Sequence, residues 1–311
     1  MTETVPTVRR GRLLRTAAAF AVLLALVAYV VVQYVSGSDA PRCVVRSVDG
    51  ADAGSASGSG TSFELSPEMA ANAATISAVG TTRGMPERAV TIALATALQE
   101  SALRNINHGD RDSIGLFQQR PSQGWGTTQE ILDPVFAAGK FYDHLAKVPG
   151  YSRLPLTVAA QRVQRSGFPQ AYAKHEPDAS LLSAALTGRA WASLTCTARQ
   201  VKGRPGDPAK VRAELVRSFG SGVLPPARST GRTGAPQSAE LTVPVTATSA
   251  AGSGDGDRRG WELAHWAVAK AAELRIIEVS YGGRVWSVDE ADEGWRASDA
   301  DSEAVRIRLA R

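Results

Sequence analysis

The stretch AVTIALATALQES, residues 89–101, decides the fold of the part of the chain around it. Its first ten residues carry no charge. A helix that is apolar on all sides is buried in the core of a domain. The first charged residue after the run is Glu100. Desolvation at the edge of an apolar core favours the neutral form of a carboxyl group, and a general acid starts from that form. The stretch therefore predicts a buried helix that ends at a candidate acid, although a glutamate marking where the helix surfaces would give the same pattern.

Helix-end signals before this stretch predict a second helix. Ser66 can cap it, with Pro67 at its first position and Glu68 in its first turn. Gly84 can end it. Between residues 66 and 187 apolar and polar residues almost never alternate with period two. This region is therefore predicted to be an α-rich domain.

A second motif follows Glu100-Ser101 after a polar loop. Residues 113–119 read SIGLFQQ. At this point the sequence resembles the lytic transglycosylases and goose-type lysozymes, in which a Glu-Ser pair ends a buried helix and a Gly-Leu-aromatic/Met-Gln motif follows. Here Gly115-Leu116-Phe117-Gln118 matches that motif in type, order and spacing. The resemblance covers roughly residues 64–196 and implies a lysozyme-like fold.

The third motif of that group is a tyrosine in an Ala-Tyr-Asn sequence near the catalytic acid. Its counterpart is Tyr172, which lies between Ala171 and Ala173. The asparagine is thus replaced by Ala173, which is a departure from the pattern.

The resemblance implies cleavage of peptidoglycan between N-acetylmuramic acid and N-acetylglucosamine by a single catalytic glutamate, without a cofactor or metal. Glu100 protonates the glycosidic oxygen and then takes the proton of the muramoyl 6-hydroxyl. The expected substrate contacts are Ser101, Gly115, Phe117, Gln118 and Tyr172. Trp125 is a candidate for stacking on a sugar, or else a loop anchor.

Two other functions stay open at this point. A muramidase that hydrolyses the same bond would need a second carboxylate to activate water, and Asp110 or Asp112 could supply it. A cell-wall-binding or assembly scaffold would keep the fold without cutting.

The N-terminal residues predict a membrane anchor. Four arginines, the last of them Arg15, precede an uncharged run over residues 16–38. Such a run is long enough to cross the hydrocarbon core of a bilayer. The distribution of positive charge predicts a single-pass protein with a cytoplasmic N-terminus and its bulk outside the cytoplasm. A cleaved signal peptide ending at Ala40 is the alternative, but Pro41 would hinder that cut and the apolar run is long for a signal core.

The chain has only two cysteines, Cys43 and Cys196. Outside the cytoplasm this number predicts one structural disulfide, and the alternative is two buried free thiols.

The C-terminal part changes from helical to mixed patterning. Segments 241–246, 276–281, 284–288 and 304–309 read as strands, and Gly282-Gly283 as a two-residue turn. This tail faintly resembles a degenerate wall-associated D-alanyl-D-alanine peptidase-like domain. Its only histidine is His265, so no three-ligand zinc site is expected and we expect a non-catalytic role.

The predicted fold class is therefore α+β, with an N-terminal transmembrane helix, an α-rich lysozyme-like domain and a small C-terminal α+β domain. The formal net charge of +5 is scattered, which suits an anionic cell wall better than a nucleic acid. The predicted partners are peptidoglycan glycan strands and, through the N-terminal helix, a membrane. The predicted segments are a basic tail (1–15), the anchor (16–38), a linker (39–63), the lysozyme-like domain (64–200), a helix with a second linker (201–238) and the small domain (239–311).

Overall fold

The computed structural model describes residues 17–30, 40–47, 61–168, 170–197, 204–225, 239–245, 254–300 and 303–311. The chain divides into two compact units, Met1–Ala40 and Pro41–Arg311. The basic tail and most of both predicted linkers lie outside the described residues.

The described part of the first unit is one helix, α1, at residues 17–30. At 1.5 Å per residue a helix of this length spans about 21 Å, whereas the hydrocarbon core of a bilayer is about 30 Å thick. Residue 16 and residues 31–38 of the predicted anchor lie outside the described part. Among the described residues no helix combines the length and the apolarity needed to cross a membrane.

The predicted transmembrane helix over residues 16–38 is therefore wrong, and so is the single-pass membrane localisation that depended on it. The fold class is corrected accordingly: the described chain is a mixture of helix and sheet without a membrane-spanning helix.

The second unit contains the remaining helices and two antiparallel sheets. Its helices are α2 (Pro67–Thr82), α3 (Glu87–Ser101), α4 (Thr128–Ile131), α5 (Pro134–Leu145), α6 (Leu156–Gln164), α7 (Glu176–Leu186), α8 (Pro208–Phe219), α9 (Gly254–Ala269) and α10 (Ala271–Leu274). Short 3-10 helices lie at Pro121–Gln123, Tyr151–Arg153, Ala173–His175, Ser221–Val223 and Val288–Glu293. The strands are β1 (Cys43–Arg46), β2 (Ser62–Leu65), β3 (Leu194–Cys196), β4 (Glu240–Pro244), β5 (Ile276–Tyr281), β6 (Arg284–Ser287), β7 (Arg296–Ala297) and β8 (Ala304–Leu309).

The helix α3 lies at the centre of the helical core, as the sequence predicts. Every residue from Ala89 to Leu98 is buried, and the helix contacts α2, α5, α6 and α7. Its neighbour α2 begins as expected, because the Ser66 hydroxyl accepts a hydrogen bond of 3.3 Å from the Met69 amide and Pro67 follows the cap. The predicted buried helix is thus confirmed, and it places Glu100 in its last turn.

A three-stranded sheet, ordered β2-β1-β3, closes the start of the unit onto a segment far along the chain. Cys43 of β1 lies opposite Cys196 of β3, with their Cα atoms 3.9 Å apart. The two cysteines form a disulfide, which confirms the sequence prediction.

The C-terminal elements form a five-stranded sheet, ordered β4-β8-β5-β6-β7. Gly282 and Gly283 connect β5 to β6 with φ of 54° and 73°, which is the left-handed backbone that a two-residue hairpin turn requires. The helix α9 packs on this sheet and also on α2, α7 and β3. The helical core and the C-terminal sheet therefore share packed surfaces within one compact unit.

Candidate active site

A cleft with a volume of about 740 Å³ opens at the C-terminal end of α3. Its lining is mainly polar and comes from the end of α3, the loop 110–125, residue 144 of α5 and the end of α6 with the loop after it. The lining residues are Glu100, Asp110, Arg111, Ser113, Gln118, Gln119, Arg120, Gln123, Trp125, His144, Arg162, Val163, Gln164, Arg165, Ser166, Gly167 and Phe168.

Glu100 is half-buried and lines this cleft. The Tyr172 hydroxyl donates a hydrogen bond of 2.7 Å to its Oε1. Burial raises the pKa of Tyr172, and the hydrogen bond to Glu100 raises it further, so the phenol keeps its proton and remains a donor. A side-chain hydrogen bond from Ser166 to Tyr172 extends the chain of contacts. Within the described ranges Glu100 Oε2 has no protein partner, which leaves this oxygen for a ligand.

The chain turns sharply directly after Glu100. Ala102 and Leu103 both adopt left-handed backbone, with φ of 52° and 57°. The Leu103 amide donates to Ala97 O at 3.0 Å, and Asn72 Nδ2 donates to Leu103 O at 2.8 Å. Left-handed backbone costs a non-glycine residue about 1–2 kcal/mol, and such conformations cluster at functional sites. The turn brings the following loop back beside the end of α3.

The Gly-Leu-Phe-Gln motif is held against α3 by Ser101. The Ser101 hydroxyl donates to Leu116 O at 2.8 Å and also lies 3.2 Å from Ala97 O. Gly115 has φ of 77°, and a Cβ atom there would come within 2.8 Å of Ile131 O, so only glycine fits. Phe117 is fully buried and stacks on Phe141 with ring centroids 4.7 Å apart.

The structure thus separates the predicted substrate contacts into two groups. Gln118 lines the cleft together with Glu100. Ser101, Phe117 and Tyr172 are buried. Gly115 lets the loop backbone approach Ile131 O closely. Tyr172 contacts the cleft lining at Glu100 and Ser166, and Ser101 contacts the Gly-Leu-Phe-Gln motif through the backbone of Leu116.

Trp125 lies in the cleft, as a sugar-stacking residue would. One face of its ring stacks on His144, with centroids 4.2 Å apart and planes inclined by 23°. Burial, followed by the nearby Lys147 charge, lowers the pKa of His144, so this wall of the cleft is uncharged near neutral pH. The sequence left open whether Trp125 stacks on a sugar or anchors its loop. In the structure its ring lines the cleft and also packs against His144 of α5.

The two aspartates considered for water activation occupy different settings. Asp112 accepts hydrogen bonds from the Ser122 amide at 2.8 Å and from Arg120 Nε at 2.7 Å, and these contacts hold its pKa well below the usual range. Asp110 lines the cleft, and its side chain is exposed. Only Asp110 is therefore placed to meet a water in the cleft.

Sequence reasoning missed the contribution of α6 and the loop after it. Gln164 Nε2 donates to Phe117 O at 2.7 Å, which ties α6 to the Gly-Leu-Phe-Gln motif. Arg162, Arg165 and Phe168 line the cleft, and the Phe168 side chain is 78% exposed. The sequence did offer a positional signal. Residues 162–168 lead directly to Tyr172, and the resemblance places Tyr172 near Glu100, so this segment is expected near the same site.

His265, the histidine of the C-terminal part, lies inside the protein. Its Nδ1 donates to Ala185 O at 2.8 Å, and its Nε2 accepts from the Ser193 amide at 3.3 Å. Burial lowers the pKa of His265 to about 4, so the ring is neutral and both of its nitrogens are engaged. Across the described ranges there is no group of three or more His, Cys, Asp or Glu residues arranged to hold a metal ion.

A family model described as the VldE C-terminal domain matches residues 243–305. The match begins in β4 and ends in β8, and it includes none of the residues that line the cleft. No curated protein matches the chain.

Proposed function

We propose that the protein cleaves peptidoglycan as a lytic transglycosylase, with Glu100 as its single catalytic residue. The observation that carries this proposal is the carboxyl group of Glu100 in the lining of a polar cleft, with one oxygen held by Tyr172 at 2.7 Å. A fixed donor on one oxygen orients the carboxyl group and leaves the other oxygen for the substrate. The motif residue Gln118 lies in the same cleft.

In the first step Glu100 in its acid form donates its proton to the oxygen between muramic acid and N-acetylglucosamine. The bond from that oxygen to the muramoyl C1 breaks, the N-acetylglucosamine leaves as an alcohol, and positive charge develops on the muramoyl ring. The carboxylate formed in this step is stabilised by the hydrogen bond that Tyr172 donates.

In the second step the Glu100 carboxylate takes the proton of the muramoyl 6-hydroxyl. The freed oxygen bonds to C1, which closes a 1,6-anhydro ring and returns Glu100 to its acid form. No water enters the product and no second carboxylate is required, in contrast to glycosidases that use a pair of acids. The ion pair between Asp112 and Arg120 supports a mechanism without a second carboxylate, because it engages one of the two aspartates that could activate water.

The test is mass spectrometry of the fragments released from purified sacculi by the full chain. Anhydro ends support the proposal. Reducing ends would replace it by hydrolysis, with Asp110 as the group that activates water, and the absence of any release would leave a wall-binding scaffold.

A substitution pair connects the activity to Glu100. Glu100→Gln is expected to abolish release, because an amide cannot donate the required proton. Glu64→Gln changes an exposed glutamate outside the cleft and serves as the matched control, with expected wild-type release. Unchanged release by the Glu100 variant would contradict the assignment.

A further inference from the structure

The cleft carries more positive than negative charge. Four arginines line it, against the two carboxylates Glu100 and Asp110. The arginines are Arg111, Arg120, Arg162 and Arg165. A site for a neutral polysaccharide requires no such excess, because sugar hydroxyl and acetamido groups carry no charge.

The arginines differ in how far the protein neutralises them. Arg120 is paired with Asp112, with 2.7 Å between Nε and Oδ1. Arg111 lies 4.0 Å from Asp110, and both side chains are largely exposed, so this pair is weak. In the part of the chain that the structure describes, Arg162 and Arg165 have no ion-pair partner. These two guanidinium groups are the ones available to a ligand.

Their backbone is held in place close to the catalytic carboxyl group. Arg162 is in the last turn of α6, and Arg165 caps the helix with φ of 53°. Gln161 Nε2 donates to Ser166 O at 2.7 Å, which fixes the turn after the cap. Ser166 in turn contacts Tyr172, the partner of Glu100.

A structural role alone does not explain this arrangement. Cations at the C-terminal end of a helix interact favourably with its dipole, which would account for Arg162 and Arg165. It would not account for Arg111, which lies on a different loop and faces the same cleft. Convergence of positive charge from separate elements indicates an anionic ligand.

We propose that Arg162 and Arg165 bind carboxylate groups of the glycan strand, so that the cleft selects an acidic strand over a neutral polymer of N-acetylglucosamine. This inference rests on the proposed function and names the feature of the substrate that the site recognises. A guanidinium group pairs with a carboxylate through two parallel hydrogen bonds, which gives direction as well as charge. In peptidoglycan the carboxylates are those of the stem peptide or, where the peptide has been removed, of the lactyl group, because the peptide is attached to the lactyl carboxyl group as an amide.

The test measures binding without cleavage. Full-length protein carrying Glu100→Gln is titrated with three probes: a peptide-bearing muropeptide oligomer, the same glycan after removal of its peptides, and chitotetraose. Adding Arg162→Gln and Arg165→Gln should weaken binding of the acidic probes by roughly threefold to thirtyfold, with less than about a twofold effect on chitotetraose. Added salt should weaken the same probes, because exposed charges are screened. Loss for the peptide-free glycan alone assigns the lactyl carboxylate, loss for the peptide-bearing probe alone assigns the stem peptide, and loss for both assigns a site that accepts either carboxylate.

Arg153→Gln provides the matched control, since Arg153 is exposed just before α6 but does not line the cleft. An equal loss for all three probes, no loss for any, or the same loss with Arg153→Gln would overturn the inference. The result is independent of cutting. If binding depends on the two arginines but no fragments are released, this inference stands and the proposed catalytic function fails. If the protein cuts glycan without selecting for charge, the catalytic function stands and this inference fails.

Discussion

The hydroxyl of Tyr172 is 2.7 Å from Glu100 Oε1, while the tyrosine itself is shielded from the cleft. Its contribution is therefore to the state of the carboxyl group and not to substrate contact. This division can be tested, because a residue that acts through Glu100 should affect the chemical step and leave binding almost unchanged.

Tyr172→Phe removes the only hydrogen bond that the described protein gives to the Glu100 carboxyl group. A hydrogen bond to a charged group contributes about 1.5–3 kcal/mol, so kcat should fall by roughly 10- to 100-fold with little change in KM. Tyr142→Phe is the control, because the Tyr142 hydroxyl is also buried but donates to a backbone carbonyl, Ile76 O, at 3.0 Å. Release kinetics on solubilised glycan measure both, and equal losses in kcat would show that Tyr172 is only structural.

His265 makes the stability of the fold dependent on pH. Its pKa is about 4 in the folded protein, below the ordinary value of 6.5 that it regains on unfolding. Between these values the unfolded chain binds more protons, so the free energy of unfolding falls as the pH is lowered, by at most about 3 kcal/mol.

Urea unfolding at about pH 7 and about pH 4.5 should therefore show a steeper loss for the wild type than for His265→Gln. The buried Glu262 has a raised pKa, which acts in the opposite direction, but it is present in both proteins and cancels in the comparison. Parallel pH profiles of the two proteins would contradict this origin of the acid sensitivity.

The C-terminal end of α3 combines a favourable hydrogen-bond pattern with an unfavourable backbone. The amides of Ala102 and Leu103 satisfy carbonyls of the last helical turn, but both residues are in left-handed conformation. Leu103 is fully buried and accepts a hydrogen bond from Asn72, whereas Ala102 is exposed. The two positions therefore differ in what a substitution would cost.

Ala102→Gly should stabilise the protein slightly. Relief of the left-handed alanine gains about 1–2 kcal/mol, and the added freedom of the unfolded chain offsets about 0.4–1 kcal/mol. The expected net effect is a gain of up to about 1.6 kcal/mol in the free energy of unfolding. Ala192→Gly tests the same relief at another left-handed alanine, φ of 52°, away from the cleft. Thermal unfolding measures both, and a clear drop in Tm for Ala102→Gly would show that the local conformation is not strained.

The sequence predicts one helix over residues 129–148, but Asp133-Pro134 divides this segment into α4 and α5. The Asp133 carboxylate accepts from the Val135 amide at 2.8 Å, so it caps α5, and Pro134 takes the first helical position. Both signals are local and were visible in the sequence. The spacing of apolar residues continues across Asp133-Pro134, so spacing alone predicts one helix where the structure has two.

The pair Cys43–Cys196 connects the first strand of the second unit to β3, at a sequence separation of 153. The loop that the disulfide closes includes α2 to α7 and every residue that lines the cleft. The crosslink therefore restricts the unfolded chain over the entire candidate site.

Cys43→Ser with Cys196→Ser should lower the free energy of unfolding by about 2–5 kcal/mol, mainly through the regained entropy of the unfolded chain. The folded sheet should persist, because β1 and β3 remain hydrogen-bonded. Denaturant unfolding of the oxidised wild type, the reduced wild type and the double variant provides the comparison. The reduced wild type should match the variant, and a reduced protein as stable as the oxidised one would contradict the prediction.

Contacts between the helical core and the C-terminal part join elements that the sequence suggests are separate. Trp295 Nε1 donates to Leu194 O at 2.9 Å, and Glu262 of α9 accepts a hydrogen bond from Thr81 of α2. Glu262 also pairs with Arg259 at 2.7 Å. The Trp295–Leu194 and Thr81–Glu262 contacts have no local signal, because each joins residues about a hundred or more positions apart.

The sequence by itself determined the features that depend on neighbouring residues. The uncharged run before Glu100 required a buried helix, the Ser66-Pro67 pair fixed the start of α2, and alternation with a glycine pair gave the β5–β6 hairpin. The presence of only two cysteines indicated the disulfide. Local patterning also misleads at residues 16–38, where the apolar composition predicts a membrane span that the described helices do not provide.

The tertiary structure alone decided which side chains face the cleft. The motif spacing predicts that Glu100 and Gln118 share one site. It does not show that the side chains of Ser101 and Phe117 are buried, or that Arg162 and Arg165 at the end of α6 line the same cleft. The sheet of β1, β2 and β3 also escaped prediction, because strands of three or four residues carry almost no periodic signal. The physical reason is common to these cases: burial patterns and caps are set within a few residues, whereas pairing and side-chain orientation are set by packing between distant segments.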